Sequence, residues 1–162
     1  MGFDIGAVLG NLLMNFFAQD GHATSESPRA SYQEWVLEAI AMSWGKFREE
    51  FLVLWRGQAT GDAYPCALFA DARSEVWLEE ERQAYVDRLL ADSLGFAAAK
   101  MIRRILGLAH NIDFELINDP ERRSLCETRA LLLARYMMVN TPRYPDIAAV
   151  IDAARQMRKV VK

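Results

Sequence analysis

The chain has 162 residues, with 19 Lys+Arg against 22 Asp+Glu and a formal net charge of -3. That length suits one globular domain with a real core, and an apolar content of 52% excludes a disordered chain. The near-neutral balance leaves no basic footprint for nucleic acid or for an anionic membrane.

Two cysteines, Cys66 and Cys126, fit neither a disulfide framework nor a zinc site, so a reducing cytoplasmic setting is expected. The longest apolar stretch, residues 1–18, lacks a basic leader, carries Asp4 and is broken by Asn11 and Asn15, unlike a signal peptide. Gly6 stands where a myristoylation signal needs Ser or Thr.

Helical periodicity runs from end to end. Ile5, Val8, Leu9, Leu12, Leu13, Phe16 and Phe17 recur at helical spacing and predict a helix over 3–19, ended by Asp20-Gly21. A polar loop through Thr24, Ser25 and Ser27 follows, and Ser31 with Glu34 reads as a capping box. The second helix carries Tyr32, Trp35, Val36, Ile40, Phe47, Phe51, Leu54 and Trp55, with Gly45 as either a kink or a close packing contact. Residues 57–65 form a loop rich in turn formers. A third helix is predicted over 74–92 and a fourth over 96–109, separated at Ser93-Leu94-Gly95. Asn118-Asp119-Pro120 starts a fifth helix that runs to about residue 139, because Asp caps and Pro fits the first helical position. Thr141-Pro142 breaks it, and a last helix ends in Arg158, Lys159 and Lys162. No alternating strand pattern appears, so the fold class is all-α, with about six helices in a single domain over 1–162.

On a helical wheel Ala98, Met101, Ile102, Ile105, Leu106 and Ala109 gather on one side. Lys100, Arg103 and Arg104 gather on the other, and no acidic residue lies three or four positions from either arginine. Two readings are open. The face is solvated and paired across helices with Glu79-Glu80-Glu81 or Asp113, or it is an anion or polyol site bound by guanidinium forks, with Gly107 letting a ligand approach.

Asp4 either caps the first helix or hydrogen-bonds to a loop outside this chain. His22 and His110 are lone histidines with no metal-ligand cluster near them, so no metal site is expected. Trp35, Trp44, Trp55 and Trp77 read as core or interface, and Cys126 as inert packing. Asp113-Phe114-Glu115 lies in a short linker and Asp119-Pro120-Glu121 is a helix cap. Neither follows a catalytic loop, and no Gly-rich phosphate motif occurs.

Three segments resemble one family: 1–13 (Met-Gly-Phe-Asp-Ile-Gly-Ala-Val-Leu-Gly-Asn-Leu-Leu), 55–65 (Trp-Arg-Gly-Gln-Ala-Thr-Gly-Asp-Ala-Tyr-Pro) and 95–110, which contains Lys-Met-Ile-Arg-Arg-Ile. The family is S-methyl-5-thioribose kinase, of the aminoglycoside-phosphotransferase-like, protein-kinase-related fold. The resemblance implies phosphorylation of methylthioribose at its C1 hydroxyl with ATP and Mg²⁺, in methionine salvage. It implies substrate contacts from Arg103 and Arg104, and a brace on the catalytic loop from Asp4. It assigns no catalytic residue and no metal ligand to this chain.

Relatives carry an ATP-binding N-lobe, a His-Gly-Asp catalytic loop and an Asp-x-Glu metal site before the Gly-Phe-Asp segment. The chain is therefore expected to be the helical C-lobe part of a kinase-like enzyme, inactive by itself and prone to association through bared apolar surface. A homodimer, or pairing with an N-terminal half, is implied. The competing expectation is a non-catalytic helical interaction module, or the relic of a truncated gene.

Overall fold

A computed structural model describes residues 1–58 and 64–160, and six α-helices with two short 3₁₀ turns account for most of them. No strand occurs among the described residues, as the absence of alternating patterns predicts. The predicted loop over 57–65 lies partly outside the described residues, as does Lys162.

Helix α1 (Gly2–His22) is the hub against which α2 (Ala30–Gly57), α3 (Ala72–Leu106), α4 (Ile112–Glu115) and α5 (Pro120–Val139) pack. Of its predicted stripe, Leu9, Leu13, Phe16 and Phe17 are fully buried, Ile5 and Leu12 pack at the core's edge, and Val8 is exposed. Its glycines decide how it packs. Gly2, Gly6 and Gly10 recur every four residues and face α3. A Cβ at Gly6 would lie 2.5 Å from the Ser93 carbonyl oxygen, and one at Gly10 would lie 3.0 Å from that of Ala97. Their smallness lets the two backbones nearly touch, with both helices running in the same direction.

Asp20-Gly21 does not end α1, which continues to His22. Tertiary contacts outweigh the local breaker signal. The Asp20 carboxylate accepts from Arg129 and Arg158, both at 3.0 Å, and from Gln33 at 3.1 Å. Gly21 is buried against Ile117, where a Cβ would lie 2.3 Å from its Cδ1. One carboxylate thus ties α1 to α2, α5 and α6 (Ile147–Val160).

Helix α2 starts at Ala30 with Arg29 as its uncapped N-cap, so the Ser31–Glu34 box does not form. Glu34 pairs with Arg155 of α6 at 2.7 Å instead. Gly45 meets nothing within 4 Å, and the helix runs through it unbroken.

The predicted break at Ser93-Leu94-Gly95 is absent, and α3 is one helix of 35 residues. The Ser93 hydroxyl donates to the Leu89 carbonyl at 2.6 Å, which satisfies it within the helix. Leu90, Leu94, Ala97, Ala98 and Met101 are buried on the same side. Burying each of the larger side chains is worth about 1.5–3 kcal/mol, more than the roughly 1 kcal/mol that a helical glycine costs. Asp71 and Ser74 form the capping box that starts the helix.

Helix α5 matches its expectation: Asp119 accepts from the backbone N–H groups of Glu121 and Arg122, with Pro120 in the first turn. The expected linker before it forms the single turn α4, capped by Asn111.

Candidate functional site

The parallel packing of α1 on α3 leaves a groove of about 240 Å³, lined by Phe3 and Ala7 from α1 and by Phe96, Ala99, Lys100 and Arg103 from α3. Helical spacing explains the lining, because residues four apart repeat along one side of each helix. Phe3 and Phe96 meet edge to face at 5.7 Å, and both remain exposed. With the two alanines they supply its apolar lining, and Lys100 and Arg103 supply its cations.

Those cations lack acidic partners among the described residues. Of the carboxylates expected to neutralise them, Glu79, Glu81 and Asp113 are engaged elsewhere. Glu79 pairs with Arg56 at 2.5 Å and Arg82 at 3.3 Å, Glu81 pairs with Arg88 at 2.5 Å, and Asp113 accepts from Asn15 at 3.3 Å. Lys100 is half-buried, and that burial, followed by the charges of Arg104 and Arg103, holds its ammonium below the ordinary lysine value. The lowering has the sign expected for uncompensated positive charge.

The two adjacent arginines separate in space. Arg103 lines the groove. Arg104 donates to the carbonyl oxygens of Ala109 and His110 at 3.3 and 3.4 Å, holding the turn where the chain leaves α3. Both bonds sit at the long end of the useful range. Gly107 serves that same exit, since a Cβ there would lie 2.4 Å from the Arg103 carbonyl oxygen. Leu106 and Ala109, placed on the buried side by the wheel, are exposed because the helix ends at Leu106.

Asp4 does not cap α1. Its side chain is 82% exposed and lies 4.0 Å from the Met1 amino group, while Met1 occupies the cap position without a side-chain bond. It stands outside the groove lining, beside Phe3.

The remaining candidates fall into structural places. A ring nitrogen of His22, Nε2, lies 2.7 Å from the Asp113 carbonyl oxygen, and His110 is exposed. Burial pushes the Cys126 thiol up to about 11, in keeping with inert packing. Trp44 is core, whereas Trp35 and Trp77 are exposed, the first stacked on Tyr32 and the second under Arg73.

A second groove, of about 290 Å³, is lined by Tyr85, Arg88, Leu89, Ala91 and Asp92. Its arginine is paired with Glu81 and an aspartate lines its wall, so its charge is balanced. Charge separates the two grooves.

Sequence reasoning placed Lys100 on the right face without assigning it to a site, and missed Phe3 and Phe96 altogether. The signal for Lys100 was its spacing, three residues before Arg103 and four before Arg104. No sequence signal joined the two phenylalanines, since they meet only through the α1–α3 packing.

No family model matches the chain. It is 42% identical to methylthioribose kinases 1 and 2 of Oryza sativa subsp. japonica over 153 residues, 93% of this chain and 35% of each of those proteins. It is 38% identical to the methylthioribose kinase of Escherichia coli O45:K1 over 155 residues, 96% of this chain and 36% of that protein. The chain spans about a third of the length of these curated relatives. Over nearly all of its own length it is homologous to the C-terminal portion of the methylthioribose kinases.

Proposed function

We propose that the chain supplies the acceptor-sugar side of a methylthioribose-kinase-type phosphotransferase acting in methionine salvage, with Arg103 and Arg104 as contacts to methylthioribose. The observation that carries this reading is the aromatic-walled groove whose cations have no carboxylate partner among the described residues, built on the Lys-Met-Ile-Arg-Arg-Ile segment.

In such a reaction a phosphoryl group passes from ATP to the C1 hydroxyl of the sugar. A sugar O–P bond forms, the bond to ADP breaks, and the hydroxyl proton leaves. Negative charge spreads over the oxygens of the transferred group, so fixed guanidinium charges near the acceptor favour the transition state. Arg103, on the lining of the groove, would supply such a charge. Arg104 reaches a ligand by giving up two long bonds to carbonyl oxygens, a small loss against a charge-assisted bond.

The described residues do not fit Mg²⁺. They bring together no three carboxylate, imidazole or thiolate groups that could hold a metal ion, and the groove is cationic. In this reading nucleotide and metal are held by the remaining two thirds of the relatives' length, and exposed Asp4 would brace a catalytic loop there.

The 162-residue chain alone is therefore expected to be inactive. Purified chain given ATP, Mg²⁺ and methylthioribose should release no ADP above background, and turnover would refute that expectation. The groove assignment is tested separately, by joining this segment to the rest of the Escherichia coli relative. Arg103→Ala there should raise the sugar KM at least tenfold without lowering the melting temperature. An unchanged KM would remove Arg103 from the site.

A further inference from the structure

We propose that Lys100 is a third ligand-binding cation of the α1–α3 groove, and that the groove holds the phosphate monoester of a sugar in preference to the free sugar. The sugar part rests on the functional reading above, whereas the anion part rests on the groove itself.

Lys100 and Arg103 both line the groove, Arg104 follows at the next position, and none has an acidic partner among the described residues. A neutral polyol would leave those three charges as they are. A phosphate dianion compensates them and removes the unfavourable placement of a half-buried ammonium beside two guanidinium groups. The compensated Arg88–Glu81 pair in the neighbouring groove offers no such gain.

The other wall suits the carbon skeleton of a small sugar. Phe3 and Phe96 line the groove with aromatic surface, and Ala7 and Ala99 add only small side chains. At about 240 Å³ the groove is smaller than sites for drug-sized ligands, which run to roughly 300–1,000 Å³. A monosaccharide phosphate matches that scale.

Titration calorimetry on the full chain, with ribose 1-phosphate, ribose and inorganic phosphate as probes, tests the proposal. Ribose 1-phosphate should bind at least tenfold more tightly than either other probe, and more weakly as salt rises. Lys100→Met should weaken ribose 1-phosphate about tenfold and leave ribose unchanged, while Lys100→Arg should restore binding. Arg73→Gln removes a cation far along α3 and should change nothing. Helical circular dichroism confirms that each variant is folded.

Wild-type affinity in Lys100→Met, or equal affinity for ribose and ribose 1-phosphate, overturns the proposal. Equal affinity for inorganic phosphate and ribose 1-phosphate overturns its sugar part. The functional reading fails differently. If Lys100-dependent phosphate binding persists while Arg103→Met leaves ribose binding unchanged, the anion site stands and the acceptor-sugar assignment falls.

Discussion

Gly6→Ala should destabilise the protein, although alanine is the better helix former. In an isolated helix the exchange would gain about 1 kcal/mol. At Gly6 the new Cβ would lie 2.5 Å from the Ser93 carbonyl oxygen, 2.7 Å from the Phe96 Cβ and 3.0 Å from the Ala97 nitrogen. An ordinary contact begins near 3.4 Å, so α1 and α3 must separate by several tenths of an ångström. Two of the three atoms are backbone and cannot rotate away. Overpacking of this kind costs typically 1–3 kcal/mol, and part of the Ala97 packing against α1 is lost with it. Net destabilisation of up to about 2 kcal/mol is expected after the propensity gain is subtracted.

Gly45→Ala and Gly95→Ala are the controls, since both glycines lie inside helices and meet nothing within 4 Å. Each should stabilise by about 0.5–1 kcal/mol. Urea unfolding followed by helical circular dichroism at 222 nm, analysed by linear extrapolation, reads all three. Opposite signs are the expected result. If Gly6→Ala gains as much stability as the controls, the close α1–α3 contact is not real, and the groove built on it loses its foundation.

Three further outcomes follow from other parts of the molecule. Asp20→Asn keeps the shape of the side chain but removes the charge that Arg129 and Arg158 share, and should cost about 2–4 kcal/mol in urea unfolding. Arg56 beside Glu79, helped by Gln83 and Arg82, holds that carboxyl down at about 2. A lowered carboxyl stabilises the fold above its unfolded value near 4.5, and the contribution is lost as pH falls from about 5 toward 2. Because the side chain is 39% exposed, less than about 1 kcal/mol is at stake, and Glu79→Gln should flatten the acid side of a stability–pH curve by that amount. Cys126, with its buried thiol pushed up to about 11, should resist iodoacetamide at pH 8 until urea unfolds the protein, as read by mass-spectrometric mapping.

Much of this architecture is local and therefore legible in the chain itself. A 3.6-residue apolar period is enough to make a helix wherever a core is available, so the all-α class and most of the helices follow from spacing alone. The Asp119-Pro120 start is equally local, since the cap bonds atoms within three residues. The cationic side of α3 was visible for the same reason, because a wheel needs only the order of the residues.

What packing alone decided depends on atoms distant in sequence. Ser93-Leu94-Gly95 reads as a break until the burial around Leu94 outweighs the weak preference of glycine. Asp20 reads as a helix end until partners more than 100 positions away claim its carboxylate. The spacing of Gly2, Gly6 and Gly10 has no meaning before α3 lies against it. Once it does, Phe3 meets Phe96, Lys100 and Arg103 are left without acids among the described residues, and Arg104 turns to the carbonyl groups past the helix end. Local propensity is worth tenths of a kcal/mol to about 1 kcal/mol per residue, while burial and paired charge are worth several, so tertiary contacts decide wherever the two disagree.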